Sequence, residues 1–356
     1  MHNGLHESKY GWHKFSNLVI TDWPFRTGFS HSKGPSKIAP QDFAKNATKF
    51  IKRWTERYSD FKGDIYIAGD SASGLWVPLI AQHALKDFKI NDKELAGRFK
   101  GIVIEGPFMT VKYGFRDGVV LSDTLFHNVP KKNAKKFMKK IQETELMSKE
   151  LFVLQVFPDV DKILNPLSRY QPYSANYYDL RHTTFENRKK KLMTGIPHHQ
   201  SAGWLMYLIG MQRKYQMGHK IERWYGTGHG GIRQLFDPNV LIPGLIYAFE
   251  SNVHEAYDYL YKNGMKIGTY FGEYDNSWTV QGLYDDFKTI LPKDDYHELV
   301  HNGWTATKYD TRVKKMKNIH IGLLGNAGHM AAICRKKAAF EFVRNFVNDK
   351  EYINKE

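Results

Sequence analysis

The chain has 356 residues, 42% hydrophobic and 14% aromatic with a quarter charged, which supplies enough apolar material for a sizeable core and excludes a disordered chain. Its formal charge is +15, but no zinc knuckle, recognition helix or RNA-binding signature accompanies the Lys and Arg runs, so nucleic acid is not an expected partner. A single cysteine, Cys334, excludes an intrachain disulfide, and no run of about 18 apolar residues suited to a membrane span occurs, so no membrane partner is expected either.

In chain order, the run Asn17-Leu-Val-Ile-Thr21, ending at Asp22 and Pro24, predicts a short buried strand. Beyond Pro40, Phe43, Ala47, Phe50, Ile51, Trp54 and Tyr58 recur at helical spacing, with Lys49, Lys52, Arg53 and Glu56 opposite. That pattern predicts an amphipathic helix packed on a sheet. Asp64-Ile-Tyr-Ile-Ala68 predicts a second strand, followed by Gly69-Asp70-Ser71-Ala72-Ser73-Gly74 and a helix from about Leu75 to Leu85. Lys100 to Glu105 predicts a third strand, and Lys266 to Phe271 and Ile319 to Leu324 two more, each followed by Gly and a polar residue. Strands alternating with helices indicate an α/β fold with a mostly parallel central sheet and helices on both faces.

Between about Lys112 and Pro243 the chain turns helical, Lys-rich and Tyr-rich without a clear strand, interrupted by Pro130, Pro158, Pro166, Pro172 and Pro197. Lys131, Lys132, Lys135, Lys136, Lys139 and Lys140 and the block Arg188 to Lys191 read as solvated faces. The organisation expected is a helical cap, 112–243, inserted between a first part of the core, 1–111, and a second, 244–356.

Ser71 lies on a turn between strand and helix, flanked by Gly69 and Gly74, with Ser73 where the common G-x-S-x-G pattern has its second Gly. Such an elbow projects a serine hydroxyl over the carboxyl ends of a sheet. An α/β-hydrolase then needs an acid and a histidine, each just past a strand end, in that chain order. Asp275, in Gly272-Glu-Tyr-Asp275, and His329, in Gly325-Asn-Ala-Gly-His329, meet that requirement. The expected roles are Ser71 as nucleophile, His329 as general base, Asp275 as the group that orients the imidazole, and the Ala72 N–H as one oxyanion donor. No cofactor and no metal are expected: Gly226 to Gly231 lacks the Lys of a P-loop, and the adjacent His198 and His199 cannot share one helix face.

These segments resemble the serine carboxypeptidases over most of the chain. Asp22-Trp-Pro-Phe-Arg-Thr-Gly-Phe-Ser30 is similar to that family's D-Q-P-x-x-T-G-F-S loop, and Gly69-Asp-Ser-Ala-Ser-Gly-Leu-Trp-Val-Pro78 to its G-E-S-Y-x-G-x-Y-V-P segment. Phe99-Lys-Gly-Ile-Val-Ile-Glu-Gly106 resembles the strand that follows, Tyr178-Asp-Leu-Arg181 a Y-D-I-R element near the cap, and Gly328-His-Met330 the G-H-M of the family. The resemblance implies an α/β-hydrolase that takes peptides with a free C-terminus, acts through an acyl-Ser71 intermediate, and binds the terminal carboxylate with the residue at Asp70. It also implies a lysosomal, vacuolar or secreted protein, whereas the polar stretch 1–13 implies the cytoplasm if Met1 is the true start. The chain departs from the pattern at Asp70, a methylene shorter than the family's Glu, at Ala72 in place of Tyr, and at Ala331-Ala332, where the proline after G-H-M-V is missing. The family's N-G-G-P-G segment, which lends an N–H to the oxyanion hole, would lie before Met1, so impaired turnover is expected. An esterase or acyltransferase on the same triad, or a non-catalytic relative, are the alternatives, and the oligomeric state stays open.

Overall fold

The computed structural model describes residues 7–21, 23, 40–110, 175–176, 179–183, 252–275 and 278–352. A six-stranded mixed sheet forms the centre, in the order β1 (Ile65–Asp70), β2 (Phe99–Glu105), β5 (Lys266–Gly272), β8 (Ile319–Leu324), β7 (Thr311–Met316), β6 (Thr305–Thr307). The first four strands in that order run parallel, and β7 and β6 extend the sheet as an antiparallel edge. Strands β1 and β2 precede the stretch expected to form a cap and β5 to β8 follow it, so the two outer parts of the chain build one sheet.

Period-two alternation sends the apolar residues of these strands to two different layers. Ile102, Ile104, Ile267, Ile319 and Ile321 pack with helices α1 (Pro40–Arg57), α2 (Ser73–Asn91) and α4 (Asn252–Lys262) on one face. Val103, Tyr270, Val313 and Leu324 pack on the other face with Phe342, Val343 and Phe346 of α8 (Lys336–Val347). Burying each such side chain contributes about 1.5–3 kcal/mol. Shorter helices complete the frame: α3 (Lys93–Arg98), α5 (Val280–Ile290), α6 (Lys293–His301) and α7 (Ala331–Cys334).

Helix α2 is buried over much of its length, from Gly74 to Phe88, although Pro78 lies inside it. A proline has no N–H for the carbonyl four residues earlier, which is that of Gly74. That carbonyl accepts instead from the Tyr257 hydroxyl of α4 at 3.4 Å. The helix behind Ser71 is thereby tied to the second part of the core.

Three expectations are corrected. Residues 17–21 form no strand, and Leu18, Val19 and Ile20 are exposed at 46%, 47% and 87%; a β-branched run becomes a strand only where a neighbour offers it a ladder, and β1 pairs with β2 alone among the described strands. On α1, Phe50 faces solvent, as does Tyr58 just past its end, while Phe43, Ala44, Ala47 and Thr48 form the buried stripe. The middle of the chain is not strand-free, since β3 (Ala175–Asn176) and β4 (Asp179–Thr183) pair antiparallel, and β4 contains Asp179-Leu-Arg181. The remainder of the expected cap, the loop 24–30, the Lys and Arg runs, His198, His199 and Gly226 to Gly231 lie outside the described residues.

Candidate active site

The carboxyl ends of β1, β5 and β8 bring Ser71, Asp275 and His329 together. Ser71 leaves β1 with φ +51, the left-handed region that costs a non-glycine residue of order 1–3 kcal/mol and persists only where its surroundings hold it. Three hydrogen bonds do so. The Ser71 N–H donates to the Glu105 carbonyl at 2.8 Å, and the Ser71 carbonyl accepts from the N–H groups of Gly74 and Phe108, each at 2.9 Å. A Cβ on Gly74 would collide with the backbone of Phe108, so glycine there lets α2 close on the segment after β2. At Gly69 the obstacle would be Ser73, the residue standing where the common pattern has its second glycine.

The acid and histidine loops are bonded to each other: the Tyr274 N–H donates to the Ala327 carbonyl at 2.8 Å. His329 Nδ1 then lies 2.8 Å from Asp275 Oδ2, and His329 Nε2 lies 3.0 Å from Ser71 Oγ. With Nδ1–H donating to the carboxylate, Nε2 is left to accept the serine proton. The Trp278 N–H also reaches Asp275 Oδ1, at 3.3 Å. Both Asp275 and His329 are buried. Burial alone would push the His329 imidazole down, but the charge of Asp275 and its hydrogen bond, with smaller help from Glu105 and Asp70, outweigh it and hold the ring above the ordinary histidine value.

Asp70 ends β1 and is exposed, one residue before Ser71. Ala72, with φ −57 and ψ −16, caps the start of α2, which places its N–H at the helix N-terminus beside Ser71. The structure therefore gathers all five residues singled out from the sequence at one end of the sheet.

Four further residues belong to this cluster and were not singled out from the sequence, although Glu105 and Gly106 lie in the segment Phe99–Gly106 that resembles the family. Gly106 has φ +46, and a Cβ there would lie 3.1 Å from His329 Cε1 and 3.3 Å from Asp275 Oδ2, so the backbone passes directly against the imidazole. Phe108 and Trp278 stack at 4.0 Å and 20°, which joins the two residues whose N–H groups hold the Ser71 carbonyl and Asp275 Oδ1. Glu105 is a buried carboxyl at the end of β2, with Oε1 accepting from the Ala332 N–H at 2.7 Å and Oε2 from the Tyr270 hydroxyl at 3.2 Å. Burial, then the charge of Asp70, push its pKa up to about 7, against the hydrogen bonds and the His329 charge.

Elsewhere, His297-Glu-Leu-Val-His301 on α6 spells a zinc-type pattern, and the two exposed rings lie 4.1 Å apart. Among the described residues no group of three His, Cys, Asp or Glu side chains is placed to hold a metal ion, so the pair is not completed into a centre. No described helix is long and apolar enough to cross a membrane.

The sequence profile of the serine carboxypeptidase family matches residues 1–349. Serine carboxypeptidase-like 34 of Arabidopsis thaliana is 30% identical over 46% of this chain and 34% of its own length. Serine carboxypeptidase 3 of Hordeum vulgare is 21% identical over 96% of the chain and 66% of its own length. The aligned stretches thus span about a third of the first relative and just under two thirds of the second. The crystal structure of a prohormone-processing carboxypeptidase from Saccharomyces cerevisiae superposes with a TM-score of 0.63 at 15% identity, covering 99% of this chain and 78% of that one. This likeness establishes the α/β-hydrolase fold, with its mostly parallel sheet between helical layers.

Proposed function

Since this chain belongs to the serine carboxypeptidase family, we propose that it releases the C-terminal residue of peptides through an acyl-Ser71 intermediate. The observation that carries this reading is the continuous line from Asp275 through His329 to Ser71, at 2.8 and 3.0 Å. Ser71 Oγ passes its proton to His329 Nε2 as it bonds to the scissile carbonyl carbon. His329 gives that proton to the departing amine as the C–N bond breaks, which leaves an ester on Ser71. Water adds to the ester with His329 again taking a proton, and breakage of the bond to Ser71 Oγ, which regains a proton from His329, frees the shortened peptide. The Ala72 N–H stabilises the oxyanion formed at each addition.

Asp70 supplies the preference for a chain end. A bound terminal carboxylate beside a carboxyl side chain is best accepted when one of the two is protonated, because like charges at contact raise one pKa. Hydrolysis of a peptide with a free C-terminus is therefore favoured at acid pH, and the same peptide as its C-terminal amide turns over more slowly. The test is turnover of both across pH 4 to 8. Equal rates without an acid preference would overturn the exopeptidase reading and leave an esterase-type use of the same residues.

A further inference from the structure

We propose that Glu105 is a positioning residue of the triad, its backbone carbonyl holding the Ser71 turn and its carboxyl holding the segment that follows His329. The inference rests on the hydrolytic reading of Ser71 and His329 given above. Its ground is that one residue makes both connections. The carbonyl accepts the Ser71 N–H at 2.8 Å, and the side chain accepts the Ala332 N–H at 2.7 Å, three residues beyond His329. The serine loop and the histidine loop, separated by 258 positions along the chain, are thus fixed to the same end of β2.

The second ground is the identity of the donor, a backbone N–H that residue 332 supplies only because it is not proline. Where the family has proline after G-H-M-V, this chain has Ala332. A proline has no N–H to donate, so the hydrogen bond to Glu105 depends on that departure. Carboxyl and donor together form a tether that the proline-bearing pattern cannot make in this way.

The groups facing the Glu105 carboxyl are Asp70 on β1, Tyr270 on β5, the Ala332 N–H on α7, and His329 in the loop after β8. Asp70, Glu105 and Tyr270 stand in register across three adjacent strands. Proximity of the Asp70 charge favours the neutral form of Glu105, while His329 in its charged form favours the carboxylate. The ionised carboxylate in turn favours the imidazolium of His329. Removing that charge lets His329 reach its neutral, proton-accepting form at lower pH.

The test measures the rate of Ser71 phosphonylation by a fluorophosphonate from pH 4 to 9, together with the NMR titration of the His329 ring, in the parent protein, Glu105→Gln and Ala332→Pro. Glu105→Gln keeps the shape and the acceptor but cannot ionise, so its acid limb and the His329 titration move down together by roughly half a pH unit. Ala332→Pro removes the donor in the first turn of α7, where an N–H has no intrahelical acceptor to lose, and slows labelling at the plateau about threefold or more as the histidine loop loses its tether. A merely structural role lowers the melting temperature of both variants and leaves the pH profile where it was. Parent-like plateau labelling in folded Ala332→Pro would overturn the tether, and a parent-like acid limb and His329 titration in Glu105→Gln would overturn the influence of its carboxylate on His329, a result that stands even if Ala332→Pro fails to fold. Failure of parental Ser71 to label at any pH would overturn the hydrolytic reading instead, while the His329 titration still decides the case of Glu105.

Discussion

Two buried ionisable groups in the one sheet serve opposite ends. Lys314, on the antiparallel strand β7, is 2% exposed; its ammonium donates to the Val300 carbonyl at 2.9 Å and lies 5.2 and 5.3 Å from the Tyr284 and Trp304 rings. Desolvation holds its pKa below the ordinary lysine value. All of those partners belong to the packing of α5, α6 and the β6–β7 edge, so the charge seals a structural seam. Glu105, at the carboxyl end of the parallel half, is bonded instead to the loops that carry Ser71 and His329. Burial of a charge is by itself no sign of function; where its partners lead decides the matter.

The largest effect is expected at the parallel end of the sheet. Asp275→Asn leaves a shape-matched partner for His329 but disfavours the tautomer that accepts from Ser71, and turnover of a blocked dipeptide falls by about 10⁴-fold with the fold intact. A loss under tenfold would show that the imidazole is oriented by another group.

A medium effect separates the two regions by pH. The Glu105 pKa in the folded chain, about 7, lies above its ordinary value of 4.5, so the folded state holds a proton that the unfolded chain has released. Its contribution is fully present below about pH 4.5 and is lost as pH rises through about 7, on the order of 3 kcal/mol over that interval. Melting temperature followed across that range shows the decline in the parent and a flatter profile in Glu105→Gln. Parallel profiles would mean that Glu105 ionises normally.

At the antiparallel edge the expected effect is the smallest. Lys314→Met keeps most of the packing volume and removes the buried charge, and stability changes by no more than about 1.5 kcal/mol. Turnover stays at the parental value. A change of tenfold in turnover would show that the edge communicates with the site and would erase the distinction between the two groups.

The same division governs what can be read from the sequence. Strands β2, β5 and β8 are legible because buried parallel strands are short apolar runs, half-buried β1 shares that apolar character at Ile65, Ile67 and Ala68, and the elbow is legible because a turn, two glycines and a helix follow in immediate succession. The edge strand β7, Thr-Arg-Val-Lys-Lys-Met, hides behind its lysines, one of which is buried against aromatic rings supplied from elsewhere in the chain. Residues 17–21 mislead for the converse reason, having the composition of a strand without a ladder to join. Ser71, Asp275 and His329 occupy strand ends, where chain order points to them. Gly106, Phe108, Trp278 and Glu105 act through contacts between distant segments, which no local spacing encodes.

The most direct test of the account is the site of covalent labelling. Folded protein treated with a fluorophosphonate and digested for mass spectrometry is expected to carry the adduct on Ser71, at a rate that collapses in Asp275→Asn and in His329→Ala. An adduct on Ser73 or another serine with Ser71 untouched would contradict the assignment of the nucleophile and, with it, the proposed reaction.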